Sequence, residues 1–106
     1  MPKYLWQASY TPEGTKGLLK EGGTARRRVA EKLVQSLGGR LEAFYYAFGA
    51  DDFYVIAEFP DNVSAAAVSL NICASGAVRI KTVALLSTEE IDEAAKKTVS
   101  FRPPGA

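Results

Sequence analysis

The sequence contains no histidine and a single cysteine, Cys73, among its 106 residues. Without histidine, the chain lacks the side chain that most often serves as a general base, a metal ligand or a haem ligand near neutral pH. One cysteine cannot form a disulfide within the chain, and a reduced thiol is typical of a cytoplasmic protein rather than a secreted one. We therefore expect no metal, no cofactor and a cytoplasmic location.

The chain also lacks an excess of either charge, since it contains 13 Lys and Arg residues and 12 Asp and Glu residues, for a net charge of +1. Non-specific binding to phosphate backbones relies on a strongly basic balance. No stretch of the chain approaches the roughly 18 consecutive apolar residues of a membrane span, and no apolar leader follows Met1. We expect neither nucleic acid nor a membrane as a partner.

Hydrophobic residues are plentiful, at 47% of the chain, which is enough to build a core without disulfides or metals. The length falls within that of one typical domain. We predict a single domain over residues 1–106. Its last residues, 98–106, contain Phe101 and two prolines and are predicted to form an extended tail.

Apolar alternation and β-branched or aromatic content predict strands over residues 3–10, 40–48, 53–59 and 78–86. Gly49 to Asp52 supply turn residues between the second and third strands, which indicates a hairpin. With helical patterns between the others, the order is βαββαβ, typical of a ferredoxin-like α+β fold. Such a fold has a four-stranded antiparallel sheet with helices on one face.

Polar caps precede four helical segments, at Thr11, at Thr24, at Asp61 or Asn62, and at Thr88. Glu21-Gly22-Gly23 interrupts the first segment, and Gly38-Gly39 ends the second. The third segment is rich in alanine and runs to about Cys73. Its predicted buried face consists of Val63, Ala66, Ala67, Leu70 and Cys73.

Alternation within the strands divides the sheet residues between a helix-covered face and an open face. The residues predicted to face the helices are Tyr4, Trp6, Leu41, Ala43, Tyr45, Ala47, Phe53, Val55, Ala57, Phe59, Ile80, Thr82 and Ala84. Those predicted for the open face are Gln7, Ser9, Glu42, Phe44, Tyr46, Phe48, Tyr54, Ile56, Glu58, Arg79, Lys81, Val83 and Leu85. The open face is too apolar to remain in water, so we expect a homo-oligomer, either a dimer or a larger assembly.

Two interpretations of the charged residues on the open face remain. In the first, the face is only interface packing, with Glu58 paired to Lys81 or Arg79. In the second, a small molecule binds in a pocket beside the face, and the predicted ligand-binding residues are Tyr46, Tyr54, Glu58, Arg79 and Lys81.

An enzyme is an alternative function for the same pocket. A buried Glu58 with a raised pKa would be the candidate catalytic base, and a nearby tyrosine would donate to an oxyanion. Such a pair suits a cofactor-independent monooxygenase or isomerase. A third alternative is an interaction module without a ligand, whose tail, residues 101–105, reaches over a neighbouring subunit. Asp51 and Asp52 are predicted to form a turn rather than to bind a cation.

Several short segments together resemble the GYD domain family, over residues 1 to about 88. They are Met1 to Thr11 with Gly14, Ser36 to Gly39 with Phe44 to Tyr46, Gly49 to Asp52, Ile56 to Asp61, and Gly76 before Val78. Gly49 and Asp52 fit the naming motif of that family, whereas Asp51 replaces its tyrosine. The resemblance implies a dimeric α/β barrel type of association, in which two ferredoxin-like sheets pack face to face, often within rings. It implies no particular activity.

Overall fold

Four strands and four helices follow one another along the chain, and the computed structural model describes all residues, 1–106. The elements are β1 (Lys3–Tyr10), α1 (Pro12–Glu21), α2 (Gly23–Ser36), β2 (Arg40–Tyr46), β3 (Phe53–Glu58), α3 (Asn62–Ala74), β4 (Val78–Leu85) and α4 (Thr88–Lys96). Every strand pair is antiparallel, and the strand order is β2-β3-β1-β4. This α+β arrangement is consistent with the predicted ferredoxin-like fold.

Helix α1 begins at the predicted cap and is tied to the turn before β4. The Thr11 side chain accepts a hydrogen bond from the Gly14 amide at 3.3 Å and donates one to the Gly76 carbonyl at 2.8 Å. The Thr11 amide donates to the Ala77 carbonyl at 3.0 Å. A Cβ atom at Gly14 would overlap that carbonyl oxygen, so this close approach requires glycine.

The other helix starts confirm one predicted cap and correct two. Asp61 caps α3, since its carboxylate accepts from the Ser64 amide at 2.8 Å. Thr24 is the wrong cap for α2, because the helix already begins at Gly23 after Gly22, which has a φ of +86°. Thr88 lies inside α4, whose cap is Ser87 in a reciprocal capping box.

The core lies between the sheet and helices α2 and α3, which pack over β2 and β4 respectively. Its buried apolar members are Tyr4, Trp6, Ala8, Val34, Leu41, Phe53, Val55, Ala57, Phe59, Ala65, Val68 and Val78. The predicted faces of β1, β3 and β4 are confirmed by the pairing of Tyr4 with Ala57 and Ala84, and of Trp6 with Val55 and Thr82.

The predicted buried face of α3 is wrong. Ala65 and Val68 are buried, whereas Val63 is 79% exposed, Leu70 is 71% exposed and Cys73 is also exposed. Apolar residues occur on every side of this helix, so their spacing does not select one face. The thiol that we expected in the core is therefore at the surface.

A β-bulge reverses the predicted alternation in the second half of β2. Leu41 pairs with Ala57, but Ala43 pairs with Ile56, so Glu42 is an extra residue in this strand. One inserted residue moves every later side chain to the other face of the sheet. Phe44 and Tyr46 accordingly lie opposite Val55 and Phe53 on the helix-covered face, with Ala43 and Tyr45 on the open face. The predictions for these four residues of β2 are wrong.

The segment after β4 extends away from the sheet. Every residue from Leu86 to Ala106 is exposed, including the whole of α4. The radius of gyration is 16.9 Å, against roughly 13 Å for a compact chain of this length. Residues 97–106 form neither helix nor strand. We refer to residues 87–106 as the C-terminal arm.

None of the helices is both long enough and apolar enough to cross a membrane.

Candidate functional site

The open face of the sheet carries three rows of side chains that run across the strands. The middle row is apolar and contains one residue from each strand, namely Ala43, Ile56, Leu5 and Val83. On one side of it lie Arg40, Glu58, Lys3 and Leu85, and on the other lie Tyr45, Tyr54, Gln7 and Lys81. An apolar row thus separates two polar ends of the same face.

At the first end, which we call the paired end, each acidic group has a basic partner. The guanidinium Nε of Arg40 donates to Oε2 of Glu58 at 2.9 Å, and Nζ of Lys3 donates to Oε1 of Glu42 at 2.8 Å. Lys3 also lies 4.0 Å from Glu58. The two positive and two negative charges cancel within this group.

Glu58 therefore differs from our expectation in both its partners and its pKa. The hydrogen bond from Arg40 holds the pKa of Glu58 below its usual value, whereas a catalytic base is expected to have a raised one. Its predicted partners, Arg79 and Lys81, lie at the far end of the strands. Glu58 is four residues from Tyr54 along β3, or roughly 13 Å. The acid and the tyrosine proposed as a catalytic pair are thus far apart.

At the second end, which we call the Asp51 end, a buried carboxylate organises the polar groups. Asp51 is only 6% exposed. It accepts hydrogen bonds from the Ser9 hydroxyl at 3.3 Å and the Tyr54 hydroxyl at 3.4 Å, and Nζ of Lys81 lies 3.8 Å from it. Because a buried carboxylate needs partners, these contacts hold the loop against the sheet.

A cavity of about 320 Å³ opens at the Asp51 end, lined by Ser9, Ala50, Asp51, Arg79, Ile80 and Lys81. Arg79 takes part in none of the ion pairs, which leaves two basic side chains against one carboxylate. The volume of this cavity lies at the lower end of the range of small-molecule sites. Its chemistry suits an acceptor-rich or anionic group.

The structure brings together three of the five predicted ligand-binding residues. Arg79 and Lys81 line this cavity, and Tyr54 adjoins it through Asp51. Tyr46 lies on the other face of the sheet, where its hydroxyl donates to the Gly23 carbonyl at 3.0 Å. Glu58 belongs to the paired end.

Sequence reasoning missed Asp51 and Ser9 as members of the site. Asp51 occupies the predicted turn, but the burial of its side chain depends on the packing of that turn against β1. The sequence signal that could have indicated this site is Ser9, a polar residue predicted for the open face of β1. Asp52 serves the turn itself, because its carboxylate accepts from the Tyr10 amide at 2.7 Å.

Nowhere in the chain do three acidic, histidine or cysteine side chains lie close enough together to hold a metal ion. The chemistry available here is hydrogen bonding from Tyr54 and Ser9 and charge from Arg79 and Lys81.

Comparison with known proteins gives a family but no relative of known activity. No curated protein and no solved structure matches the chain. The family model of the GYD domain matches residues 4–95, which include nearly the whole sheet and most of α4. The chain therefore belongs to the GYD domain family.

Proposed function

We propose that this protein assembles with copies of itself through the open face of its sheet and holds a small anionic molecule at the Asp51 end. The assembly is a homodimer of the dimeric α/β barrel type or a larger ring. The observation that supports this proposal is the apolar row across all four strands, on the sheet face opposite to helices α2 and α3.

The apolar row and the rows beside it are compatible with burial between two sheets. Val83 is 40% exposed and Tyr45 is 72% exposed, so both keep apolar surface available for a partner. At the paired end, Arg40 and Lys3 already compensate Glu58 and Glu42, which lowers the cost of removing these charges from water. A second sheet stacked here would also close the open side of the cavity at the Asp51 end.

The charge of that cavity favours an anionic ligand. Arg79 and Lys81 together exceed the single negative charge of Asp51, and a guanidinium binds a carboxylate or a phosphate with two parallel hydrogen bonds. The hydroxyl of Tyr54 and the exposed ring of Tyr45 lie in the same row of the open face as Lys81. A small organic acid fits these groups in both charge and size.

Assembly is tested by native mass spectrometry with two matched valine substitutions. Val83→Glu places a charge in the apolar row, whereas Val63→Glu places the same charge on α3, where the side chain is 79% exposed. We expect the native chain and Val63→Glu to be oligomers and Val83→Glu to be a monomer. An oligomer that survives Val83→Glu would contradict assembly through this face.

The ligand is tested in the same spectra. We expect freshly purified protein to carry additional mass that Arg79→Gln loses and that Lys32→Gln, an equal change of charge on exposed α2, retains. Ligand-free oligomers of the native chain, or mass retained in Arg79→Gln, would contradict an anion site at the Asp51 end. Failure of this test leaves the assembly result standing, since the two are read separately.

We propose a second role for the C-terminal arm, as an interaction segment that reaches over a neighbouring subunit. The supporting observation is its complete exposure, with Ile91 at 51%, Val99 at 77% and Phe101 at 74%. An apolar side chain on one side of an amphipathic helix, as at Ile91, normally faces a partner. Deletion of residues 98–106 is expected to weaken assembly, measured as dissociation on dilution. An unchanged dissociation curve would contradict a role in assembly for residues 98–106 of the arm.

A further inference from the structure

Strand β4 forms one edge of the sheet, and part of its backbone has no hydrogen-bond partner. The Ala77 carbonyl accepts from the Thr11 amide, so it points towards β1. Backbone groups alternate in direction along a strand, so the odd-numbered residues of β4 bond to β1 and the even-numbered ones point outwards. Ile80, Thr82 and Ala84 therefore present amides and carbonyls at a free edge, since β4 pairs with β1 alone. Such an edge is a template for another strand.

The opposite edge of the sheet is less suited to an added strand. Strand β2 contains the bulge at Glu42, which interrupts its regular pairing. Strand β4 instead keeps one continuous register with β1 over eight residues, and its second half, residues 82–85, carries no charge. An added strand is therefore expected beside the second half of β4.

An uncharged groove lies beside this part of the edge, on the helix-covered side of the sheet. It has a volume of about 470 Å³ and is lined by Tyr4, Asn62, Ala65, Ala66, Ser69, Leu70, Thr82 and Ala84. Helix α3 forms one wall, and none of its 13 residues is charged. Leu70 is 71% exposed. A strand added to β4 would direct every second side chain towards this groove.

The C-terminal arm contains a segment with the properties of such a strand. Residues 98–101, with the sequence Thr-Val-Ser-Phe, alternate between polar and apolar side chains. In an extended segment Val99 and Phe101 share one side, and they are 77% and 74% exposed. No backbone group of residues 98–102 bonds to another backbone group of the chain. Pro103 has no amide hydrogen and would end the strand.

The arm of the same chain begins on the other face of the sheet from the groove. Ser87, Thr88 and Glu90 border a cavity together with Lys3 and Ile56 of the open face. From there the arm extends away from the sheet, and the molecule measures 56 Å in its longest dimension. The arm is thus directed away from its own groove and towards a second molecule.

We propose that residues 98–101 of one copy add a strand to the free edge of β4 in a second copy, with Val99 and Phe101 in its groove. Backbone hydrogen bonds supply affinity in this mode of recognition, and the groove selects the alternate side chains. The inference rests on the proposed role of the arm in assembly and names the surface that receives it.

Dissociation on dilution tests this surface with two matched leucine substitutions. Leu70→Asp places a charge in the groove, whereas Leu19→Asp places the same charge on α1, where the side chain is 81% exposed. We expect Leu70→Asp to raise the dissociation constant at least about tenfold and Leu19→Asp to leave it unchanged. Leu70→Asp should add nothing to the deletion of residues 98–106, because both changes remove one contact.

A spin label tests the contact directly. Cys73 is the only cysteine, is exposed, and lies one helical turn from Leu70. A nitroxide on Cys73 of one copy, mixed with ¹⁵N-labelled Cys73→Ser, should broaden the amide signals of Val99 and Phe101. Leu70→Asp in the spin-labelled copy should abolish the broadening. The measurement on the native groove needs no variant of the groove itself.

The outcomes separate this inference from the proposed function. If the deletion of residues 98–106 weakens assembly and Leu70→Asp does not, the arm contacts another surface, so this proposal fails and the role of the arm stands. A deletion without effect would overturn both. Broadening that appears only when the nitroxide and the isotope are in one chain would show that the arm occupies its own groove, and would overturn the exchange between copies.

Discussion

The two faces of the sheet differ in what their side chains do. On the helix-covered face, Tyr4, Trp6, Val55 and Ala57 are between 0% and 4% exposed and belong to one apolar core. On the open face, the same strands carry an apolar row between two polar ends, and most of these side chains keep contact with water. One set of strands thus supplies the core on one face and leaves polar and apolar side chains open to solvent on the other.

The largest expected effect contrasts two residues near the end of β3. Phe59→Ala removes a ring that is 0% exposed and should lower the free energy of unfolding by about 3–5 kcal/mol. Ile56→Ala, on the open face, should cost only about 1 kcal/mol in the monomer. Urea denaturation at several protein concentrations measures both. A loss for Ile56→Ala as large as that for Phe59→Ala in the monomer would remove the distinction between the faces.

The next-largest effect tests how tightly α1 packs against the residue before β4, Ala77. Gly14→Ala forces a Cβ into the Ala77 carbonyl and should destabilise the chain by about 1–3 kcal/mol. Gly17→Ala, in the same helix, meets no atom within 4 Å and should stabilise it by up to about 1 kcal/mol. Thermal unfolding compares the pair. Equal melting temperatures for the two variants would show that this contact is not tight.

A smaller effect tests the bulge that assigns two neighbouring tyrosines to opposite faces. Tyr46→Phe removes the hydrogen bond to the Gly23 carbonyl and should cost about 0.5–1 kcal/mol. Tyr45→Phe removes a hydroxyl from a side chain that is 72% exposed and should change the unfolding free energy very little. A larger loss for Tyr45→Phe than for Tyr46→Phe would indicate that the alternation in β2 is uninterrupted and would contradict the bulge.

The smallest effect concerns the paired end and depends on pH. Since its folded-state pKa is lowered, Glu58 contributes stability that is present above its usual pKa and is lost as the pH falls through the lowered value. The raised pKa of Lys3, caused first by its hydrogen bond to Glu42, contributes stability that is present below its usual pKa and is lost only as the pH rises through the raised value.

Melting temperature against pH measures this dependence. Glu58→Gln should flatten the acid part of the profile, whereas Glu93→Gln on exposed α4 should follow the native curve. Because the basic partners of Glu58, Arg40 and Lys3, are exposed, the difference will be small and will shrink as salt is added. If the acid part of the profile for Glu58→Gln matched the native one, the contact between Arg40 and Glu58 would make no net contribution to stability.

Much of the site could not be predicted from the sequence, for reasons that concern particular residues. The shared open face of Glu58, Arg79 and Lys81 suggests a contact among them, but strand order and register place Glu58 at the opposite end from the two basic residues. The register of β1 against β3 and β4 sets Lys3 beside Glu58, and Ser9 beside Arg79. Those pairings join residues that lie far apart in the chain, which local patterns do not encode.

The sequence by itself determined the order of the elements, the cap at Thr11, a cap at either Asp61 or Asn62, the end of α2 before Gly38, and the alternation in β1, β3 and β4. These features depend on neighbouring residues, on the helical or extended period, and on the free rotation of glycine. Only the tertiary structure decided the face of α3, the bulge at Glu42 and the burial of Asp51. In each of these cases, two arrangements satisfy the local pattern about equally well, and contact with a distant strand selects one of them.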